Sequence, residues 1–400
     1  MAVSALLMTR RHAQALWLLA TGLLFAGLLV ARRPEILTQP QLYAEDGEWF
    51  QAAHGAGLAA LVAPGAGYLV VFIRLVALLT APLQLANAAR AYAAIGIAMQ
   101  VLPALFLASP RLRNVMPDDR LRLLIALIFI LVPNAELTGN LTNTQWHLAL
   151  LGFLVLVAVP PTRRWQRAFD LITLVLAGLT GPFALLLLPL GAIYHRRHID
   201  SWRRTELAIL AVCAFAQLAT LLATHGAARS DVPLGASPSS FVFALANQVL
   251  FRFVPITLSD RESALAAVVA FAVGLILLAG AWRGCRDLRY FCAFAVAVAV
   301  AGMFFPEVGP HDSQPAWVAI GQRLTGARYF FFLVLAVILC LLSLASSERW
   351  RVTTRRWAVA GVVAGLLLAA AGEWRYAPIT GASVAVQVVH APQTARPNPA

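Results

Sequence analysis

Residues 120–164 read RLRLLIALIFILVPNAELTGNLTNTQWHLALLGFLVLVAVPPTRR, and the order of residue types in this stretch decides the fold. Arginines open and close it, two apolar runs lie inside them, and a turn dense in Asn, Thr, Gln and Glu separates the runs. A charged side chain at the centre of a bilayer costs about 2.5–3.5 kcal/mol even on a lenient insertion scale, so charges mark loops and uncharged runs mark helices. The stretch is a helical hairpin in a membrane, with arginines at one end and amides at the other.

The same grammar runs through the rest of the chain. It predicts spans at 13–31, 88–108, 120–133, 146–160, 168–180, 182–194, 206–224, 264–281, 289–305, 328–346 and 357–371, about eleven transmembrane helices in an all-α polytopic membrane protein. Composition agrees. With 60% hydrophobic and 12% charged residues over 400 positions, the chain lies far from the roughly 45–50% apolar and 25% charged balance of a soluble domain. No stretch is polar enough for a separate domain, so residues 1–400 form a single transmembrane domain. The formal charge of +13 comes from arginine alone, without lysine, and is dispersed in bursts between apolar runs; it reports topology and implies no nucleic-acid partner. Cys213, Cys285, Cys292 and Cys340 lack metal-type spacing and lie outside the longer polar loops, which excludes zinc-finger and disulfide frameworks. The first run follows Arg10 and Arg11, and Arg32 and Arg33 stand where a cleavage site would be, so it reads as an uncleaved first helix.

Basic residues resist translocation, and placing the N-terminus in the cytoplasm puts the bursts Arg111–Arg122, Arg163–Arg167, Arg196–Arg204, Arg283–Arg289 and Arg349–Arg356 inside. This requires that Tyr68 to Ala81, about fourteen residues containing Arg74, lie along the interface without crossing. The outer face then carries a first loop, 32–87, with juxtamembrane helices, loops 134–145, 225–263 and 306–327, and a tail, 372–400. Spans 120–133 and 146–160 fall short of the roughly 20 residues needed to cross, which implies a groove between them or local thinning.

Candidate chemistry gathers on that outer face. Tyr43-Ala44-Glu45-Asp46-Gly47-Glu48-Trp49-Phe50 follows the first helix. Asp46 could take a proton from an attacking hydroxyl while Glu45 positions the nucleophile or holds a divalent cation; the plainer reading is an acidic helix start with aromatic anchors. In the turn, Asn143, Gln145, Trp146 and His147, with Tyr43 nearby, suit a sugar's hydroxyls and apolar face, or else cap helix ends. Arg74, Arg252, Arg261, Arg323 and Arg328 run against the positive-inside bias. Arg328 opens a span, and Arg252 lies in a Phe-rich stretch, where each guanidinium could grip a lipid phosphate bidentately or simply snorkel. His311 and Asp312 are a weaker pair, and no nucleotide or zinc motif occurs.

This arrangement resembles the GT-C superfamily of membrane glycosyltransferases, which includes the bacterial aminoarabinose transferase and the protein O-mannosyltransferases. The points of contact are the first helix, the acidic pair Glu45-Asp46 in the first outer loop, the juxtamembrane segment 68–81, the polar turn 139–147 and the outer hairpin Leu179-Thr180-Gly181-Pro182. The resemblance implies a GT-C-like fold in the bacterial inner membrane with the site on the periplasmic face. It further implies inverting transfer of a sugar from a polyprenyl-phosphate carrier to a glycan, lipid or protein acceptor. Asp46 would be the base, Glu45 its partner or a cation ligand, Arg328 with Arg252 or Arg74 would hold the departing phosphate, and Asn143, Gln145 and His147 would contact sugar or acceptor. Two departures stand out: the lysine of some members has no counterpart, and no large outer C-terminal domain follows the spans. A lipid-linked-sugar flippase or transporter is the competing class, but such proteins usually show internal repeats and midplane polar groups. A polysaccharide ligase would instead use Arg323, Arg328 and His311.

Overall fold

The computed structural model describes residues 2–197, 199–224, 232–250, 263–307, 314–322, 325–346 and 351–379. No strand forms among them, and only two isolated bridges occur, Gly65 with Tyr68 and Val70 with Thr180. The first part of the chain forms α1 (Ala2–Arg32), α2 (Glu35–Thr38), α3 (Asp46–Ala56), a 3-10 turn (Gly57–Val62), α4 (Val71–Thr80) and α5 (Leu85–Ala108). Two hairpins follow, α6 (Asp119–Leu131) with α7 (Thr144–Val157) and α8 (Arg164–Gly178) with α9 (Ala184–His195). Then come α10 (Ser201–Ala223), α11 (Pro238–Leu245), α12 (Ser263–Arg283), α13 (Arg286–Phe304), α14 (Ala316–Ile320), α15 (Ala327–Ala345) and α16 (Val352–Gly372).

Each of the eleven apolar runs lies in one of these helices. Six helices are long and apolar enough to cross a membrane: α5, α10, α12, α13, α15 and α16. Helices α6 to α9 span only 12 to 15 residues each, about 18–23 Å at the helical rise, against about 30 Å of hydrocarbon. Lipid-facing surfaces are legible as stripes: Leu265, Val268, Phe271, Leu275, Leu278 and Trp282 are exposed along one side of α12, the spacing of a helix face. Helix α7 is the opposite case. Every residue from Thr144 to Val157 is buried.

A helix buried all round must find partners for its terminal carbonyls within the protein. At the arginine-rich end of α7 they come from four residues in three segments: the turn after α5, α9 and α10. His195 Nε2 lies 2.8 Å from the Leu156 carbonyl, Asn114 Nδ2 donates to Val157 (3.0 Å), Arg203 to Ala158, and Arg111 Nε to Val159 (3.0 Å). Arg111 also makes two bonds to Asp170 (3.2 and 2.8 Å), and Arg203 pairs with Glu206 (2.6 Å). The arginines that mark topology in the sequence thus also terminate the central helix.

Helix α5 measures how far the short hairpins reach. The Val159 amide donates to the Arg111 carbonyl (2.8 Å), which sets the end of α7 level with the end of α5. Twelve residues back, Gly96 packs on the polar turn so closely that a Cβ there would lie 2.6 and 2.7 Å from the Asn140 carbonyl oxygen and amide nitrogen. The remaining part of α5, Gly96 back to Leu85, continues about 16 Å beyond the turn. The second hairpin is also cut short. Gln217, buried in α10, donates to the Gly178 (3.2 Å) and Gly181 (2.9 Å) carbonyls, and α10 continues to Thr224, which donates to Gly67 (3.1 Å).

The space beyond both turns is filled by α3, the 3-10 turn and α4. Leu42, Trp49, Tyr68, Val70, Ile73 and Ala77 pack there on Ala89 and Tyr92 of α5 and on Leu141 of the turn. The expected groove between the short spans is therefore roofed. Helix α4 is ten residues long, or about 15 Å. Arg32 closes the remaining side: it donates to the last carbonyls of α6, Leu131 (3.0 Å) and Ile130 (3.4 Å), and to Glu373 (3.2 Å) after α16.

The close approach at Gly96 is testable. Gly96→Ala drives a Cβ into backbone and should cost about 1–3 kcal/mol of stability, whereas Gly361→Ala in α16, with nothing within 4 Å, should leave the Tm in detergent unchanged or raised. Equal Tm values for the two variants would contradict the packing.

Candidate functional site

The polar turn after α6 is built largely from its own amides. Asn140 Nδ2 and Asn143 Nδ2 both donate to the Glu136 carbonyl (2.8 and 2.9 Å), the Asn143 amide donates to Asn140 Oδ1 (2.9 Å), and Thr138 Oγ1 donates to Asn134 (2.9 Å). Gly139 turns the chain at φ +71°, a conformation glycine adopts without steric cost. Asn134, Thr138, Asn140 and Asn143 are all buried, so the amides satisfy backbone in the first instance.

Asp46, the first residue of α3, is fully buried against this turn. Its Oδ1 accepts from the Thr142 amide (2.9 Å) and hydroxyl (2.8 Å), and its Oδ2 accepts from the amides of Tyr43 (3.3 Å) and Leu141 (3.4 Å). Burial pushes its pKa up to about 7, and the bonds from Thr142, Tyr43 and Leu141 pull the other way. Trp49 Nε1 donates to the same Thr142 hydroxyl (3.0 Å), and the Arg74 guanidinium lies 4.3 Å over the Trp49 ring and donates to the Pro64 carbonyl (3.3 Å). Arg74 is buried in this contact, and its pKa is lowered by burial while Glu48 opposes. In this geometry Asp46 and Arg74 clasp the roof to the turn.

Arg328, at the start of α15, binds the other side of the same turn. Its side chain pairs with Glu136 Oε1, its amide donates to Glu136 Oε2 (2.9 Å), and Nη2 donates to the Glu307 carbonyl (3.0 Å) and the Tyr329 hydroxyl (3.3 Å). Its side chain keeps 19% of its exposure, against 4% for Glu136. Tyr43 sits between the two sides: burial raises its pKa, the Glu136 and Glu45 carboxylates add to the rise, and Arg328 and Arg33 oppose it. Glu45 is half-buried, and its Oε2 is enclosed without a hydrogen-bond partner among the described residues. The acidic loop, Tyr43, Glu136 and Arg328 thus lie together at the polar-turn end of the bundle. Arg252, Arg261, Arg323, His311 and Asp312 lie outside the described residues.

The remaining expected sugar contacts are interior. Trp146 packs edge-on against Phe183 (5.2 Å between ring centroids) and Tyr329 (5.7 Å). His147 lies 1% exposed between Phe129 and Phe331, with Nε2 3.2 Å from the Leu137 carbonyl. Gln145 donates to the Thr142 carbonyl (3.4 Å) and faces Gly181 of the second hairpin. Asn143 Oδ1, Trp146 Nε1 and His147 Nδ1 are nevertheless buried without partners. Among the described residues no three His, Cys, Asp or Glu side chains converge. Both Asp46 oxygens are already engaged by four donors, which leaves Glu45 as the acidic side chain with an unengaged oxygen.

Sequence reasoning passed over three residues that organise this end. Glu136 is one polar residue among many in the turn's sequence, although a carboxylate beside lipid calls for a cation. Arg33, which donates to the Thr138 carbonyl (3.2 Å), was read only as the flank of a span. Gln217 was hidden inside an apolar run. No family model, curated protein or solved structure matches the chain.

Two measurements check this geometry. Glu136→Ala strands the Arg328 guanidinium and should cost about 3 kcal/mol, and the Glu136→Ala/Arg328→Ala pair should cost less than the sum of the single changes; strict additivity would separate them. For Asp46, a folded pKa above the ordinary value makes its contribution to stability greatest below about pH 4, to be lost as the pH rises through about 7. Wild-type Tm should therefore fall more steeply than that of Asp46→Asn between about pH 5 and about pH 8.

Proposed function

We propose that the chain is an inverting glycosyltransferase of the GT-C kind, with eleven crossings, its N-terminus in the cytoplasm and its polar-turn end on the periplasmic side of a bacterial inner membrane. The donor is a polyprenyl-phosphate sugar, and the acceptor is a hydroxyl of a glycan, lipid or protein. The observation that carries this reading is the enclosed Glu45 Oε2, without a partner among the described residues, at the end of the bundle where Tyr43 stands between it and Arg328. A buried polar atom without a partner calls for one supplied from outside.

In this reaction the acceptor oxygen attacks the anomeric carbon while the bond from that carbon to the carrier phosphate breaks. The base takes the acceptor's proton, and charge grows on the departing phosphate. Glu45 is the base because its Oε2 has no partner among the described residues, and Asp46, with both oxygens engaged, holds the loop that carries it. Arg328 meets the phosphate with its exposed edge, and Arg74 supports it through Trp49; Arg252, outside the described residues, is the sequence's further candidate for the same phosphate. Tyr43 and Gln145, nearest the acidic loop and the second hairpin, contact sugar or acceptor; Asn143, Trp146 and His147 line the floor beneath.

The test is transfer by the purified protein from a polyprenyl-phosphate hexose or pentose, with mass spectrometry of copurified lipids. Glu45→Gln should lose at least about 100-fold in turnover while keeping its Tm and its copurified donor. Full activity in that variant would remove the proposed base, and movement of the intact donor between leaflets without transfer would make the chain a flippase.

A further inference from the structure

A second feature lies at the opposite, arginine-rich end. A partly open cavity of about 310 Å³ runs between α5, α6, α7, α13 and α15, with Val359 of α16 on its rim. Its walls are apolar, with Leu124, Ile128, Phe153, Leu154 and Leu335 among them, and Ser343, Ser346, Cys285 and Asp287 stand at its mouth. On α6, Leu121, Leu124, Ile125 and Ile128 line it in the i, i+3, i+4, i+7 pattern of one helix face, a depth of about 10 Å.

The same register places two arginines on the mouth. Arg120 precedes Leu124 by one turn and is exposed; Arg355 precedes Val359 by one turn and is half-buried. Arg111, Arg122 and Arg203 at this end are ion-paired, whereas Arg120 and Arg355 make no ion pair among the described residues. Asp287, which would repel an anion, accepts from the Tyr194 hydroxyl, and Arg286 stacks 4.5 Å over that ring. Asp119 is paired with Arg122 and Arg113.

We infer that this cavity binds one acyl chain of an anionic glycerophospholipid, whose phosphate is held between Arg120 and Arg355. Apolar walls two helical turns deep beneath two uncompensated guanidiniums match the two ends of such a molecule and the spacing between them. A chain seated there fills the seam between α6 and α16. It braces the hairpin that carries the polar turn, and this holds whether or not the proposed transfer reaction does.

The experiment uses the full chain in uncharged detergent, titrated with phosphatidylglycerol, phosphatidylcholine or polyprenyl phosphate while Tm is followed. Phosphatidylglycerol should raise Tm in a saturable manner and the other two should not. Arg120→Gln/Arg355→Gln should keep the lipid-free Tm and shift half-saturation about thirtyfold, the loss of two headgroup attractions. Leu154→Trp, which fills the cavity, should abolish the response. An equal response to phosphatidylcholine, an unshifted midpoint in the arginine variant, or a response to polyprenyl phosphate alone would overturn the assignment. Because the two arginines face outward, their variant remains decisive if Leu154→Trp fails to fold.

Discussion

A backbone carbonyl or amide inside hydrocarbon must find its partner within the protein, and in this chain that demand falls hardest on α7. The helix is buried along its whole length and begins and ends short of the distance a bilayer requires. Its last carbonyls draw donors from three segments, and its first turn takes the Asn143 amide to Asn140 and the Thr144 hydroxyl to the Leu141 carbonyl (2.7 Å). The surrounding helices are placed so that these bonds can form.

A short central helix creates the recess. With α6 to α9 truncated and α5 and α10 continuing past them, a hollow opens above two turns, and the chain fills it with α3, the 3-10 turn and α4. The filling is cross-linked by polar side chains rather than left as a greasy plug. Asp46 binds the first turn, and Gln217 binds the second turn and the Leu69 backbone (2.9 and 3.1 Å). Such bonds are directional, so they fix the roof relative to the turns where apolar contact alone would let it slide.

The helical, multi-span character was legible because insertion cost sorts charged from apolar residues along the chain, and every apolar run in the sequence became a helix. The acidic loop and Arg328 were legible as anomalies, being charges on the side where arginine is scarce. Their mutual arrangement was not legible, because it depends on which partner each charge finds at long sequence separation. Arg328 meets Glu136 across 192 positions, and Asp46 meets Thr142 across 96. Trp146 and His147 misled for a related reason: their polar atoms suggested a surface, while the apolar bodies of both rings are core material. Gln217 left almost no trace, since one amide in a run of Ala, Leu and Phe is compatible with span or site alike.

The acidic pair shows how two adjacent, chemically similar residues come to differ. Ala44, just before them, has φ +43°, a left-handed conformation that costs a non-glycine residue on the order of 1 kcal/mol. That turn sends Asp46 down into the amides of Thr142 and Leu141, and the carboxylate reaches back to the Tyr43 amide to hold it. Glu45, about 100° away around the incipient helix, is left with an oxygen that nothing among the described residues satisfies. An acidic helix start in open solvent would give no reason to hold Ala44 in that conformation, since both carboxylates would be hydrated in any backbone arrangement. The strain at Ala44 and the unsatisfied atom at Glu45 are therefore two consequences of one arrangement, in which Asp46 anchors the loop and Glu45 keeps an oxygen that the described residues leave unsatisfied.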